Sequence, residues 1–133
     1  MKTANHQHGF TIVEILTVLG IIASLTAVII VSSSSARANS RDKAREVDLG
    51  QIQLAIRLYR EKNGATSNPG YGQVCASCSS GINTAVQQYS GTVEDPLHDG
   101  TTYYYQYVSN SGTNQVCANR LERTGAAYCV NAP

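Results

Sequence analysis

Four groups of residues in this chain have types and spacings that could do chemistry. Cys75-Ala76-Ser77-Cys78 is a C-x-x-C unit, a spacing that serves a redox dithiol, half of a zinc site or a small disulfide loop. Cys117 and Cys129 lie equally far on either side of Arg123, so a hairpin turning there sets them opposite each other, near disulfide distance. Glu94-Asp95, His98 and Asp99 crowd around Pro96, where carboxylates either close turns or offer oxygens to calcium. The fourth group is a single residue, Glu14, inside an apolar run.

The cysteine chemistry narrows quickly. A thioredoxin-like dithiol needs a βαβ setting that the neighbouring sequence lacks. A four-cysteine zinc site needs a second close pair, which Cys117 and Cys129 do not form. Two disulfides, Cys75–Cys78 and Cys117–Cys129, are the expectation, and the second should contribute about 3 kcal/mol by loop closure. His6-Gln7-His8 has too few ligands for a metal and reads as a polar leader. No cofactor is expected; calcium at the Asp95/Asp99 loop is the alternative to plain turn chemistry. No phosphate-binding glycine loop, Ser-His-Asp set or carboxylate pair for acid–base work is present. Tyr103-Tyr104-Tyr105 and Tyr107 lack the interleaved cations of a base-stacking surface. The chain does not read as an enzyme.

Glu14 demands a reason. From Phe10 to Val31 the only interruptions are Gly20, Thr11, Thr17, Ser24, Thr26 and this glutamate. Such a run crosses the roughly 30 Å hydrocarbon core of a bilayer as a helix. A glutamate near the middle of such a helix costs about 2.5–3.5 kcal/mol on insertion scales.

The elements that position these groups follow from pattern. The chain has 133 residues and a formal charge of +1, one small domain plus an N-terminal segment, with no bulk attraction to nucleic acid. Residues 37–62 hold seven Lys or Arg against four Asp or Glu, which reads as a solvated helix face. Proline is absent from residue 10 to residue 62. Ile52, Ala55, Ile56 and Tyr59 recur at helical spacing, Arg60 and Lys62 suit a helix C-terminus, and Asn63-Gly64 stops it. One nearly continuous helix of about 50 residues is expected. Residues 65–100 read as irregular, with a short helix over 82–89. Beyond Gly100 a period of two takes over. It predicts strands at 103–108, 115–121 and 127–130, with turns at 109–114 and 123–125, as a meander laid on the Ile52/Ile56/Tyr59 face. So few aliphatic residues make a thin core that disulfides would staple.

The apolar run has a rival reading as a signal peptide cut after Ala36-Arg37-Ala38, although signal cores run only 7–15 residues. Arg37, Arg41, Lys43 and Arg45 outnumber Lys2, a bias that would leave the body in the cytoplasm; the cysteines argue for an oxidising compartment instead.

Gly9-Phe10-Thr11-Ile12-Val13-Glu14, behind a short polar leader and heading a membrane-length run, resembles the processing motif of type IV pilins and type II secretion pseudopilins. The likeness continues through Arg41-Asp42-Lys43-Ala44-Arg45, Asp48, Gln51 to Ala55, Tyr59 and Asn63-Gly64, and more weakly at Asp95-Pro96-Leu97. It implies a pilin-like α+β fold. It further implies cleavage between Gly9 and Phe10 by prepilin peptidase, N-methylation of Phe10, and Glu14 as the assembly glutamate. The partners implied are further copies in a helical filament, the pilus or secretion assembly machinery, and the bacterial inner membrane before export to an extracellular or periplasmic filament. The membrane helix lacks the proline of many type IVa pilins, which leans towards pseudopilin-like or otherwise divergent pilins, and the Asp-Pro loop lacks the Trp-Gly usual in major pseudopilins. The expected organisation is a leader at 1–9, a transmembrane and assembly helix at 10–31, its amphipathic continuation at 32–64, and a stapled β domain at 65–133. Two other classes stay open: a secreted binding domain, and a membrane-anchored thiol protein using Cys75 and Cys78.

Overall fold

The computed structural model describes residues 9–110 and 112–133, the side chain of Val31 excepted; His6 and His8 lie outside this range. Helix α1 (Ile12–Asn63) begins at a Thr-x-x-Glu sequence. The Glu14 N–H donates to Thr11 O at 3.1 Å and to Thr11 Oγ1 at 3.3 Å, so Thr11 caps the first turn, with Glu14 at its third position. At the other end the Gly64 N–H donates to Arg60 O at 2.8 Å with φ 109°, a conformation that favours glycine and closes the helix.

The chain divides into two compact units, residues 1–37 and 38–133. In the first, the helix is apolar on all sides. Its large apolar side chains from Phe10 to Ile30 are each at least 51% exposed. An 18-residue window reaches a mean hydropathy of 2.6, long and apolar enough to cross a membrane.

The second unit is α+β. The rest of α1 is followed by β1 (Gly72–Val74), α2 (Gly81–Ser90), β2 (Tyr105–Asn110), β3 (Thr113–Ala118) and β4 (Tyr128–Asn131). The strands form one antiparallel sheet in the order β1-β2-β3-β4. Ser80 caps α2 by accepting the Asn83 N–H. A Cβ on Gly81 would collide with the Pro69 carbonyl, so only glycine lets α2 start there. Leu49, Ile52, Ala55 and Ile56 of α1 share a core with Val74, Ile82, Val86, Tyr105, Tyr107, Val116 and Ala118. Tyr105 and Tyr107, two residues apart, point inward as the period of two requires.

Several boundaries differ from the pattern-based expectation. The sheet has four strands, because β1 lies in the stretch read as irregular; three residues are too few to show a period. β2 starts at Tyr105 rather than Tyr103, since Asp99 Oδ1 accepts the N–H groups of Thr101, Thr102 and Tyr103. β3 pairs as early as Thr113 with Asn110. It ends at Ala118 because residues 120–126 turn onto α1, where Asp42 accepts the N–H groups of Glu122 and Arg123. Tyr59 is only half-buried; the buried stripe extends in the opposite direction, through Leu49 to Arg45 and Asp42.

Candidate functional site

The buried stripe of α1 carries charge into the core of the second unit. Arg45 has no exposed surface, and its guanidinium donates four hydrogen bonds to three carboxylates. Nε and Nη2 donate to the two oxygens of Asp95 at 2.7 and 2.9 Å, and Nη1 donates to Asp42 at 2.7 Å and to Glu122 at 3.2 Å. The Tyr103 ring centroid lies 5.0 Å from its Cζ. Arg41 forms a two-bond fork with Glu122, both bonds 2.6 Å. Burial works to lower the pKa of Arg45, but Asp95 first, then Asp42 and Glu122, outweigh it and raise it. Burial would raise Asp42, yet the Glu122 and Arg123 N–H groups and Arg45 pull it below the usual carboxylate range. Arg41 pulls Glu122 down against the opposing effect of burial. One turn on, Asp48 accepts the Tyr105 hydroxyl at 2.7 Å; its burial pushes its pKa up, although this bond opposes the shift. No nucleophile or general base is left free in this cluster. What it does is hold the loops around Asp95 and Glu122 against α1, since removing one partner would strand a buried charge.

The sequence-derived site residues fall in distinct places. Cys75 is bonded to Cys78 and Cys117 to Cys129, the second pair directly opposite in the β3–β4 register. Asp95 and Asp99, singled out as possible calcium ligands, are engaged by the protein itself. Arg45 takes both oxygens of Asp95, and the backbone N–H groups of Tyr103, Thr102 and Thr101 hold Asp99 well below the usual carboxylate range. Arg41, Lys43 and Arg45, the cations that weighed towards a cytoplasmic body, are each paired with a carboxylate.

In the first unit Gly9 and Phe10 precede the helix, with Phe10 78% exposed. Every hydroxyl in the apolar run that bonds does so to its own helix: Thr17 to Glu14 O, Ser24 to Ile21 O and Thr26 to Ile22 O, at 2.8–2.9 Å. Such internal satisfaction suits a segment removed from water. Glu14 lies exposed in the first turn, where its charge complements the helix dipole. The family model for the prokaryotic N-terminal methylation motif matches residues 4–30. The chain carries this motif. It is the prepilin-type motif of type IV pilins and pseudopilins, and it covers Gly9, Phe10 and Glu14 together with nearly the whole apolar run. Comparisons with curated proteins and with solved structures found no match.

The methylation motif and the exposed apolar helix fit a membrane-anchored precursor and a structural subunit. Sequence reasoning missed the Arg45 cluster. Its signal was present: Arg45, Leu49, Ile52 and Ile56 share one helical stripe, and a cation on an apolar stripe needs a buried partner.

Proposed function

We propose that this protein is a structural subunit of a helical filament, of the type IV pilus or type II secretion pseudopilus kind. Residues 10–31 hold the precursor in the bacterial inner membrane. Prepilin peptidase cuts after Gly9, Phe10 is N-methylated, and the assembly machinery extracts the subunit and stacks it into an extracellular or periplasmic filament. The observation that carries this reading is a coincidence of two features: the methylation motif falls on a helix whose large apolar side chains are exposed among the described residues. Repeated heterologous contacts that do not close on themselves build filaments, and a helix apolar on every side suits the inside of one. The role is associative, without catalysis or cofactor. Release after Ala38 is the weaker alternative, because Ala36-Arg37-Ala38 lies within α1.

After cleavage Glu14 lies four residues from the new amine of Phe10, just ahead of the helix, and that amine, its own or a neighbour's, is the opposite charge assigned to it. Opposite charges 4 Å apart gain about 4 kcal/mol at an effective dielectric near 20, similar to the insertion cost. The Thr-x-x-Glu spacing of a capping box offers Glu14 a second, purely local use, and substitution separates the two. Glu14→Gln keeps the capping capacity and removes the charge. The precursor should be inserted and cleaved normally, yet yield no filaments when it is the only subunit. Wild-type filament yield from Glu14→Gln would leave Glu14 a helix cap and withdraw the assembly role. Intact mass tests the processing step, since it distinguishes cuts after Gly9 and after Ala38 and reports the methyl group.

A further inference from the structure

We propose that reduction of the Cys75–Cys78 disulfide opens a zinc site formed by Cys75, Cys78, Glu94 and His98. Cys75 Sγ, a Glu94 carboxylate oxygen and a His98 ring nitrogen all lie within 4.8 Å of one another. In the oxidised chain the sulfur is not a thiolate and cannot ligate. Once reduced, Cys75-x-x-Cys78 has the close spacing from which zinc sites draw a pair of thiolates, and Glu94 and His98 supply the other two positions. Ligand atoms around tetrahedral zinc stand roughly 3.4–3.8 Å apart, so adjustments of roughly 1 Å would suit Cys75, Glu94 and His98, while Cys78, freed by reduction, swings its sulfur away from Cys75 to take the fourth position.

The fold brings these groups together from separate elements. Cys75 directly follows β1, and its N–H donates to Asn83 Oδ1 of α2 at 3.3 Å. The Cys78 N–H returns to Cys75 O at 3.3 Å, closing a tight loop. On the other side Arg45 grips Asp95, Asp95 Oδ1 accepts the Leu97 N–H, and the His98 N–H donates to Asp95 O at 2.9 Å. That turn carries the His98 ring back towards Glu94. The ring is under-used where it sits. Nδ1 is buried with no hydrogen-bond partner, and Nε2 stands 3.9 Å from Glu94 Oε1, too far for a hydrogen bond. Buried ring nitrogens are ordinarily satisfied, and a metal is one group that would take one of the two, each residue offering a single ligand atom.

The redox step balances with a dithiol reductant. Cys78 is half-buried and Cys75 only 3% exposed, so a reductant thiolate attacks the Cys78 sulfur and Cys75 leaves as the thiolate. The second reductant thiol then closes onto the first, forming the reductant's own disulfide and releasing Cys78. Two electrons pass to the cysteines, and zinc binding displaces the two thiol protons. Oxidation of the pair expels the metal, so the loop holds either a disulfide or an ion.

The proposal does not depend on the filament reading. The test uses the full chain in detergent, reduced with dithiothreitol, desalted without oxygen, and titrated with Co²⁺ and then Zn²⁺. The reduced protein should bind about one equivalent of Co²⁺ with a thiolate charge-transfer band and tetrahedral d–d bands, displaced by Zn²⁺. The oxidised chain should show none of these bands. Cys75→Ser/Cys78→Ser, which retains Cys117 and Cys129, should abolish the signal. His98→Ala should weaken binding by more than the roughly 10–100-fold typical of losing an outer-shell partner. No binding by the reduced chain, or undiminished binding by the double serine variant, overturns the proposal. So does equal affinity in His98→Ala and Glu94→Gln, which would reduce the site to a bare dithiol.

Discussion

Along α1, residues 10–30 and residues 42–56 place the same kinds of side chain in opposite settings. In the first stretch the leucines, isoleucines and valines lie outside, and Glu14 is exposed with them. In the second, Leu49, Ile52 and Ile56 have no exposed surface, and neither has Arg45. The first stretch meets no core of its own, so its apolar surface is made for surroundings other than water. The second satisfies its burial within the chain, charge included. An exposed glutamate among exposed leucines therefore points to what lies outside the molecule, whereas a buried arginine among buried leucines is accounted for inside it.

Arg45→Ala breaks this contrast most severely, because it leaves Asp95 and Asp42 buried without their cation. Losses of this kind run to about 3–5 kcal/mol, and we expect a collapse of the denaturant midpoint measured by tyrosine near-ultraviolet dichroism. Paired truncations sharpen it. Ile56→Ala should cost about 2–5 kcal/mol. Ile22→Ala should move the unfolding of the second unit by less than about 0.5 kcal/mol. Equal effects would refute the division into two settings. Cys117→Ser/Cys129→Ser should remove about 3 kcal/mol from the second unit, read from the same transition.

Proton linkage gives subtler tests. Asp42 and Glu122 are held below their ordinary values, so their stabilisation is complete above about pH 4.5 and drains away as pH falls through the lower folded-state values. Burial first, and then Asp48, raises the Tyr105 pKa above its ordinary 10.0, so stability should also fall above about pH 10 as the unfolded chain ionises first. Tyr105→Phe should weaken that alkaline limb in a pH series of unfolding midpoints. Asp48 has the opposite sign from Asp42: its raised value means the charged form is disfavoured in the folded state. Asp48→Asn retains an acceptor for Tyr105 and should stabilise by less than about 1 kcal/mol at pH 7. The gain should disappear below about pH 4, where Asp48 is protonated in both states.

Much of this was legible in the residues because it is local or periodic. The proline-free stretch and Asn63-Gly64 mark the helix and its end. The alternation at Tyr105 and Tyr107 marks a core strand, and the symmetric spacing of Cys117 and Cys129 marks a hairpin pair. The methylation motif is local too, a short leader, Gly9-Phe10, and Glu14 at a fixed offset, so the sequence by itself determines that much of the functional reading. The tertiary structure decided what depends on residues far apart. Nothing near Arg45 in sequence says that Asp95, fifty residues on, and Glu122, seventy-seven on, will meet it, or that His98 will come to rest beside Cys75. A three-residue strand such as β1 likewise has no period to read and exists only because β2 offers it a hydrogen-bonding edge. Periodicity and spacing report what the backbone imposes on its neighbours; which charges are buried together depends on how the loops close, and that is set by the packed core.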